Sequence, residues 1–217
     1  MSLKSISDYF QPDFYHFTED SIILAKQAVE RIAFKFNGKK IKAIDLCAGC
    51  GVIGLEVLQK SYEYNMATII DMDFCELQSD FINYFEKNMS ILDDSLQSNI
   101  RYINKSINYL RGKEYVGAYD LIFCNPPYYL PGKKRLSQNK NKNYCKFFIE
   151  DSFSILVDVI LGLLRSDGEA LIILPNSIDT DFDLLDYVRN KNCHAKVGKL
   201  LVKGSIAIFL ITILHEK

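Results

Sequence analysis

Short apolar runs alternate along this chain with stretches in which apolar residues recur every three or four positions. The runs at 41–46, 67–75, 100–104, 119–124 and 169–174 have strand length, and the stretches near 51–63, 76–89 and 148–165 have helical spacing. Such alternation implies an α/β fold with a parallel, doubly wound sheet. A further helix near 181–191 precedes two strand-like runs, 196–202 and 205–214, that meet at Lys203-Gly204. That is hairpin spacing, so the sheet is expected to end in an antiparallel pair. Residues 1–17 lack helical period but hold Phe10, Phe14, Tyr15 and Phe17, which predicts an arm anchored over the core by its rings. Thr18 is expected to cap a helix with Glu19 and Asp20 in its first turn, Ile22, Ala25, Val29, Ile32 and Phe36 on one face, and Asn37-Gly38 at its end. The chain thus divides into an arm and helix, 1–37, and a sheet domain, 38–217.

Two turns in this frame carry chemistry. In the first, the strand Ile41 to Leu46 runs into Cys47-Ala48-Gly49-Cys50-Gly51-Val52-Ile53-Gly54 and a helix start. Glycines let backbone approach a ligand closely, and the helix amino terminus adds polarity. Gly49, Gly51 and Gly54 match the dinucleotide pattern literally, with Asp71 about twenty residues on, so a nicotinamide enzyme is one alternative. Asp45, just ahead of the turn, would repel a pyrophosphate and suits a cationic ligand such as a sulfonium amino acid.

The second turn, Asn125-Pro126-Pro127-Tyr128, follows the buried-type run Leu121 to Cys124, at the carboxyl end of a strand where open α/β sheets put ligands. Each proline fixes φ and removes a donor, and Asn125 is pushed into an extended conformation by the proline after it. A stiff, acceptor-rich turn remains. The Asn125 side-chain oxygen and the Pro126 carbonyl can both accept from one planar NH2 group, and Tyr128 offers a ring for stacking.

Composition narrows the classes. With 217 residues, 48% of them apolar, the chain suffices for one well-buried α/β domain and is not of disordered type. A formal net charge of -1 means that a polyanion must be met by a local patch. One candidate exists in 132–146, where Lys133, Lys134, Arg135, Lys140, Lys142 and Lys146 occur without an acid. No apolar run approaches membrane-spanning length and no apolar signal segment opens the chain, so a cytoplasmic protein with reduced thiols is expected. Cys47 and Cys50 form a CxxC pair, but no second pair exists and the glycine spacing already accounts for the turn, so neither a metal nor a redox site is expected. His16, His194 and His215 are read as structural or surface residues.

Taken together, Asp45-Leu46-Cys47-Ala48-Gly49-Cys50-Gly51 and Asn125-Pro126-Pro127-Tyr128 resemble the class I S-adenosyl-L-methionine-dependent methyltransferases, in their amino-methylating branch. Within that branch the chain is most similar to the bacterial adenine-N6 methyltransferases of valine tRNA. Gln11, Phe14 to Asp20 and Gly132 to Ser137 carry the further likeness. The resemblance implies a Rossmann-like, seven-stranded, mostly parallel sheet, with S-adenosyl-L-methionine over the first two strands and the target amine at the fourth. It assigns Asp45, Cys47, Ala48, Gly49, Gly51, Tyr15, Phe17, Asp20 and Asn125 to the cofactor pocket, and an acid at the end of the second strand to its ribose. Of Asp71 and Glu76, we choose Glu76, with Leu77 beside it, because a helix then starts at once. Ser106 aligns where the family has an Asp that accepts from the cofactor's adenine amine, and Cys47 where it often has glycine, a place a small side chain fills if φ is negative. Asn125, Pro126, Pro127 and Tyr128 would be the catalytic turn. Lys133, Lys134 and Arg135 would grip the phosphates of an RNA substrate, most naturally a tRNA, and a monomer suffices for this. The rivals are a methyltransferase acting on DNA adenine or on a protein glutamine amide and, from another class, a non-catalytic RNA- or cofactor-binding module.

Overall fold

The computed structural model describes residues 9–130, 132, 135–176, 182–191 and 194–214. Helix α1 (Glu19–Arg31) continues as a π-helical turn, Ile32–Phe36, into β1 (Lys40–Leu46). Then follow α2 (Val52–Glu63), β2 (Ile69–Glu76), α3 (Ile82–Met89), the short α4 (Asp94–Gln97), β3 (Ile100–Asn104) and β4 (Tyr119–Cys124). The chain ends with α5 (Lys140–Tyr144), α6 (Phe153–Leu163), β5 (Leu164–Pro175), α7 (Leu184–Asn190), β6 (Ala195–Lys203) and β7 (Ile206–Ile213).

These strands form one seven-stranded sheet in the order β3-β2-β1-β4-β5-β7-β6. β1 to β5 run parallel, and β7 pairs antiparallel with both β5 and β6, as the sequence pattern leads one to expect. Central strands read as unbroken apolar runs because both of their faces are covered. Ile41, Ala43, Leu121, Phe123, Leu171 and Ile173 join the core beneath α1 and α2. The alternate residues Ile44, Leu46, Ile122, Cys124, Ala170 and Ile172 join the core beneath α6. The direction of strand order reverses between β1 and β4, and the two turns singled out above leave the carboxyl ends of those two strands. Open sheets bind ligands at such a point.

Several boundaries differ from the expectation. Thr18 holds the N-cap position, but its side chain makes no capping bond. β2 runs to Glu76, and a 3-10 turn, Ser79–Phe81, intervenes before α3, so the helix does not begin at Leu77. α6 starts at Phe153 and not near 148, because the Ser152 hydroxyl accepts the Ile155 N–H as an N-cap at 3.3 Å. Phe148 to Asp151 are thereby left as irregular chain, bent at Ile149 and Glu150, that lines a cavity.

Candidate functional site

The turn after β1 is shaped by three left-handed residues: Cys47 (φ 58°), Gly49 (φ 54°) and Gly51 (φ 82°). The condition of a negative φ for a small side chain at this place is not met by Cys47, which is carried in a conformation that β-carbons disfavour. At Gly51 a β-carbon would lie 2.6 Å from the Phe85 ring, so glycine is required there on two counts. Asp45 lies beneath the turn, fully buried, and accepts the Gly54 N–H at 3.0 Å through Oδ2. Its Oδ1 has no partner among the described residues, and burial pushes its pKa up to about 8. Asp45 therefore braces the helix start from below and is not among the residues that line the cavity above.

Glu76, at the end of β2, does line that cavity. It accepts the Gly49 N–H at 2.9 Å and the Gln78 N–H at 2.8 Å, one on each carboxylate oxygen, and burial raises its pKa. With the Leu77 N–H as a further backbone donor, the carboxylate still keeps acceptor capacity for a hydroxyl. Asp71 lies near the other end of β2, ion-paired with Lys40 at 3.0 Å.

Across the switch point, Asn125 lines the same cavity. Its Oδ1 accepts the Tyr128 hydroxyl at 2.7 Å, and its Nδ2 donates to the Ser21 hydroxyl at 3.3 Å. Those two hydroxyls anchor the amide at both ends. Burial, and after it the charge of Asp20, holds the Tyr128 phenol above its ordinary pKa. Pro127 lines the cavity, Pro126 is buried behind it, and Asp20 and Tyr128 are not among the lining residues. Ser21 was not foreseen; nothing in its sequence neighbourhood marks it beyond its place one turn into α1.

The amino-terminal arm closes one wall. Asn88 ties it down, accepting the Phe10 N–H at 2.7 Å and donating to the Phe10 and Cys50 carbonyls at 3.0 Å each. Tyr15 packs edge-on against Phe81 at 6.2 Å between centroids, and Tyr15 and Phe17 both face the cavity, while His16 is exposed.

The opposite wall comes from the end of the basic stretch and the residues that follow it. This segment folds back because Tyr129 pairs with it, donating its N–H to the Lys146 carbonyl at 3.0 Å and accepting the Phe148 N–H on its own carbonyl at 2.9 Å. Buried Asn143 knits the segment internally through Ser137. Tyr144, Cys145, Phe147 and Asp151 thereby line the cavity, which encloses about 930 Å³ with its mouth and also takes in Cys47, Ala48, Gly49 and Leu77. Arg135, Lys140, Lys142 and Lys146 are exposed; Lys133 and Lys134 lie outside the described residues. Ser106 differs from expectation. Its hydroxyl donates to Asp151 at 3.2 Å and accepts the Asn108 N–H, and it is absent from the cavity's lining.

Burial raises the Cys50 and Cys145 thiols to about 12, which keeps them protonated. No cluster of His, Cys, Asp and Glu among the described residues could hold a metal ion, and no helix among them is long and apolar enough to cross a membrane.

Over 140 residues the chain is 32% identical to the tRNA1(Val) (adenine(37)-N6)-methyltransferase of Shewanella putrefaciens, an alignment that takes in 64% of this chain and 53% of that protein. The chain therefore spans about half the length of the curated relatives it matches. A putative RNA methyltransferase from Pyrococcus horikoshii superposes with a TM-score of 0.60 at 11% identity, over 96% of this chain and 92% of that one. A putative methyltransferase complexed with SAH superposes with a TM-score of 0.60 at 12% identity, over 91% of this chain and 50% of that one. Both likenesses are of fold. The profile described as conserved hypothetical protein 95 matches residues 25–146, which run from α1 through both functional turns to the far wall of the cavity, and the chain belongs to that family.

Proposed function

We propose that this protein is an S-adenosyl-L-methionine-dependent N-methyltransferase that methylates the exocyclic N6 amine of adenine in RNA, with tRNA as its substrate and the cytoplasm as its place of action. One observation carries the reading: Asn125 lines the same cavity as Gly49 and Glu76, at the reversal of strand order, with its amide anchored at both ends by Tyr128 and Ser21. The cavity suits such a cofactor in its chemistry. Here a left-handed glycine turn lets backbone approach, Glu76 keeps acceptor capacity for ribose hydroxyls, and Tyr15, Phe17 and Leu77 supply apolar wall. The likeness to a valine-tRNA methyltransferase over 140 residues supports the choice of substrate.

When bound, the cofactor supplies an electrophilic methyl group on a sulfonium. This chain's residues would do the rest. An adenine amine is a poor nucleophile because its lone pair is delocalised into the ring. The second lone pair of the Asn125 oxygen and the Pro126 carbonyl would accept its two hydrogens and draw that lone pair toward the methyl donor. Pro127 stiffens the turn, and Tyr128 braces Asn125 while offering its ring to the base. Positioning then carries most of the acceleration, and the amine's proton leaves to solvent after transfer, with no strong base needed beforehand. A base in folded RNA must first be unstacked, and Arg135, Lys140 and Lys142, with Lys133 and Lys134, are the cations to hold the flanking phosphates. In this reading the arm and helix of 1–37 complete the pocket of a methyltransferase domain at 38–217.

The test is to incubate the protein with labelled methyl donor and tRNA, total RNA, DNA or protein, and identify the labelled residue. Label in N6-methyladenosine of tRNA is expected. Label only in DNA or in protein glutamine would overturn the proposal.

A further inference from the structure

The cavity is crossed by a line of polar groups that follows the strand order. Asn125 stands at the end of β4, the glycine turn at β1, Glu76 at β2, and beyond them the loop after β3 meets Asp151. At this far end Leu77 and Ile107 are apolar, and of the two neighbouring carboxylates that line the cavity Glu150 accepts the Tyr144 hydroxyl at 3.0 Å while Asp151 is tied to the loop after β3. Asp151 is held from two sides. Oδ2 accepts the Ser106 hydroxyl at 3.2 Å and Oδ1 accepts the Asn108 amide, while Ser152, next in the chain, is fixed as the N-cap of α6. Ser106 in turn accepts the Asn108 N–H, so its hydroxyl is already committed in both directions. A carboxylate accepts at several lone pairs and donates at none. At the end of the cavity away from Asn125, such a group fits an aromatic amine and opposes a ring oxygen.

Building on the cofactor reading above, we propose that Asp151 is the residue that accepts a hydrogen bond from the exocyclic amine of the cofactor's own adenine, with Ser106 and Asn108 positioning it. The acceptor thus comes from the wall that folds over the cavity and not from the loop after β3. It follows that this site selects 6-amino over 6-oxo purines, because a 6-oxo ring would set its oxygen against the carboxylate.

Calorimetric titration of the full chain with S-adenosylhomocysteine and with its 6-oxo counterpart, S-inosylhomocysteine, tests this without turnover. A charged hydrogen bond of this kind gives a preference of roughly tenfold to a hundredfold for the amino compound. In Asp151→Asn the carboxamide can turn its NH2 to the ring oxygen, so the preference should fall to within about threefold or invert, while Glu114→Gln, exposed and outside the cavity's lining, should keep the wild-type ratio. Equal binding of the two compounds by the wild type overturns the proposal, and so does a wild-type ratio in a folded Asp151→Asn; in either case the cofactor reading stands. Failure of the wild type to bind S-adenosylhomocysteine at all overturns both. If Asp151→Asn does not fold, the wild-type ratio alone decides.

Discussion

Tyr128 can serve a bound base in two ways, as a ring to stack on and as a hydroxyl that fixes the Asn125 oxygen, and Tyr128→Phe separates them. The substitution keeps the ring and removes one donor, at 2.7 Å from Asn125 Oδ1, leaving the 3.3 Å bond to Ser21 as the amide's remaining anchor. An intramolecular hydrogen bond of this type is worth about 0.5–1.5 kcal/mol net. If that energy serves to keep the acceptor aimed at the target amine, its loss should slow the methyl-transfer step by roughly two- to twelvefold. Asn125→Ala removes the acceptor itself, and the loss of one preorganised group at a reacting centre typically costs about 10² to 10³ in rate. Neither change touches Glu76 or the glycine turn, so affinity for S-adenosylhomocysteine should be unaltered in Tyr128→Phe and should fall far less than the transfer rate in Asn125→Ala, which does line the cavity. Single-turnover transfer to tRNA, paired with calorimetry of S-adenosylhomocysteine, measures the two quantities separately. A Tyr128→Phe enzyme with wild-type single-turnover rate would refute the bracing role, and one as slow as Asn125→Ala would show that the hydroxyl does more than hold an amide in place.

Other consequences lie in stability and in RNA binding. A β-carbon at Gly54 would sit 2.4 Å from the fully buried Phe74 ring, so Gly54→Ala should destabilise by about 1–3 kcal/mol, as core overpacking does. At roughly 2–4 °C per kcal/mol for a chain of this size, thermal unfolding should show a clear drop, and an unchanged midpoint would mean that the helix start can shift. Asp45 has a folded pKa raised to about 8, far above its ordinary value, so the folded state binds a proton that the unfolded state has released. Its contribution is therefore full below the unfolded carboxylate range and is lost as pH rises through about 8. Urea unfolding should accordingly show stability declining from pH 5 to pH 8 and Asp45→Asn flattening that decline, Glu76 keeping a share in the same direction; an equal slope in the variant would exclude Asp45 as its source. Replacing Arg135, Lys140 and Lys142 by Ala should weaken tRNA binding and reduce its salt dependence by about 0.7–0.9 logarithmic units for each phosphate left without its cation. A parallel line on the salt plot would remove these side chains from the interface.

What the sequence made legible, and what it hid, divides along one physical line. β1, β4 and β5 announce themselves because a strand covered on both faces must be apolar throughout, and the two functional turns lie at strand ends because their glycines and prolines constrain backbone locally. Glu76 stands at the end of β2 and Asp71 near its start, although the helix start at Leu77 on which the choice between them rests is not there. Ser21 and Asp151 could not be found in this way. Ser21 meets Asn125 across 104 positions of sequence, and Asp151 meets Ser106 across 45, so each encounter is set by how α1 and the segment before α6 pack on the finished sheet. Asp151 falls inside the helical spacing near 148–165, but it stays outside α6, and the course of its wall follows from the pairing of Tyr129 with Phe147, from Asn143 bonding to Ser137 and from the Ser152 cap. Cys47 teaches the converse. A side chain small enough for the turn suggested an ordinary backbone, but the left-handed angle is imposed by the path from β1 to α2, and the residue there accommodates it. Local constraints thus fix where the reacting groups stand, while groups that orient and select arrive from distant segments, so it is at Ser21 and Asp151 that a relative sharing both turns could differ most in rate and in ligand preference.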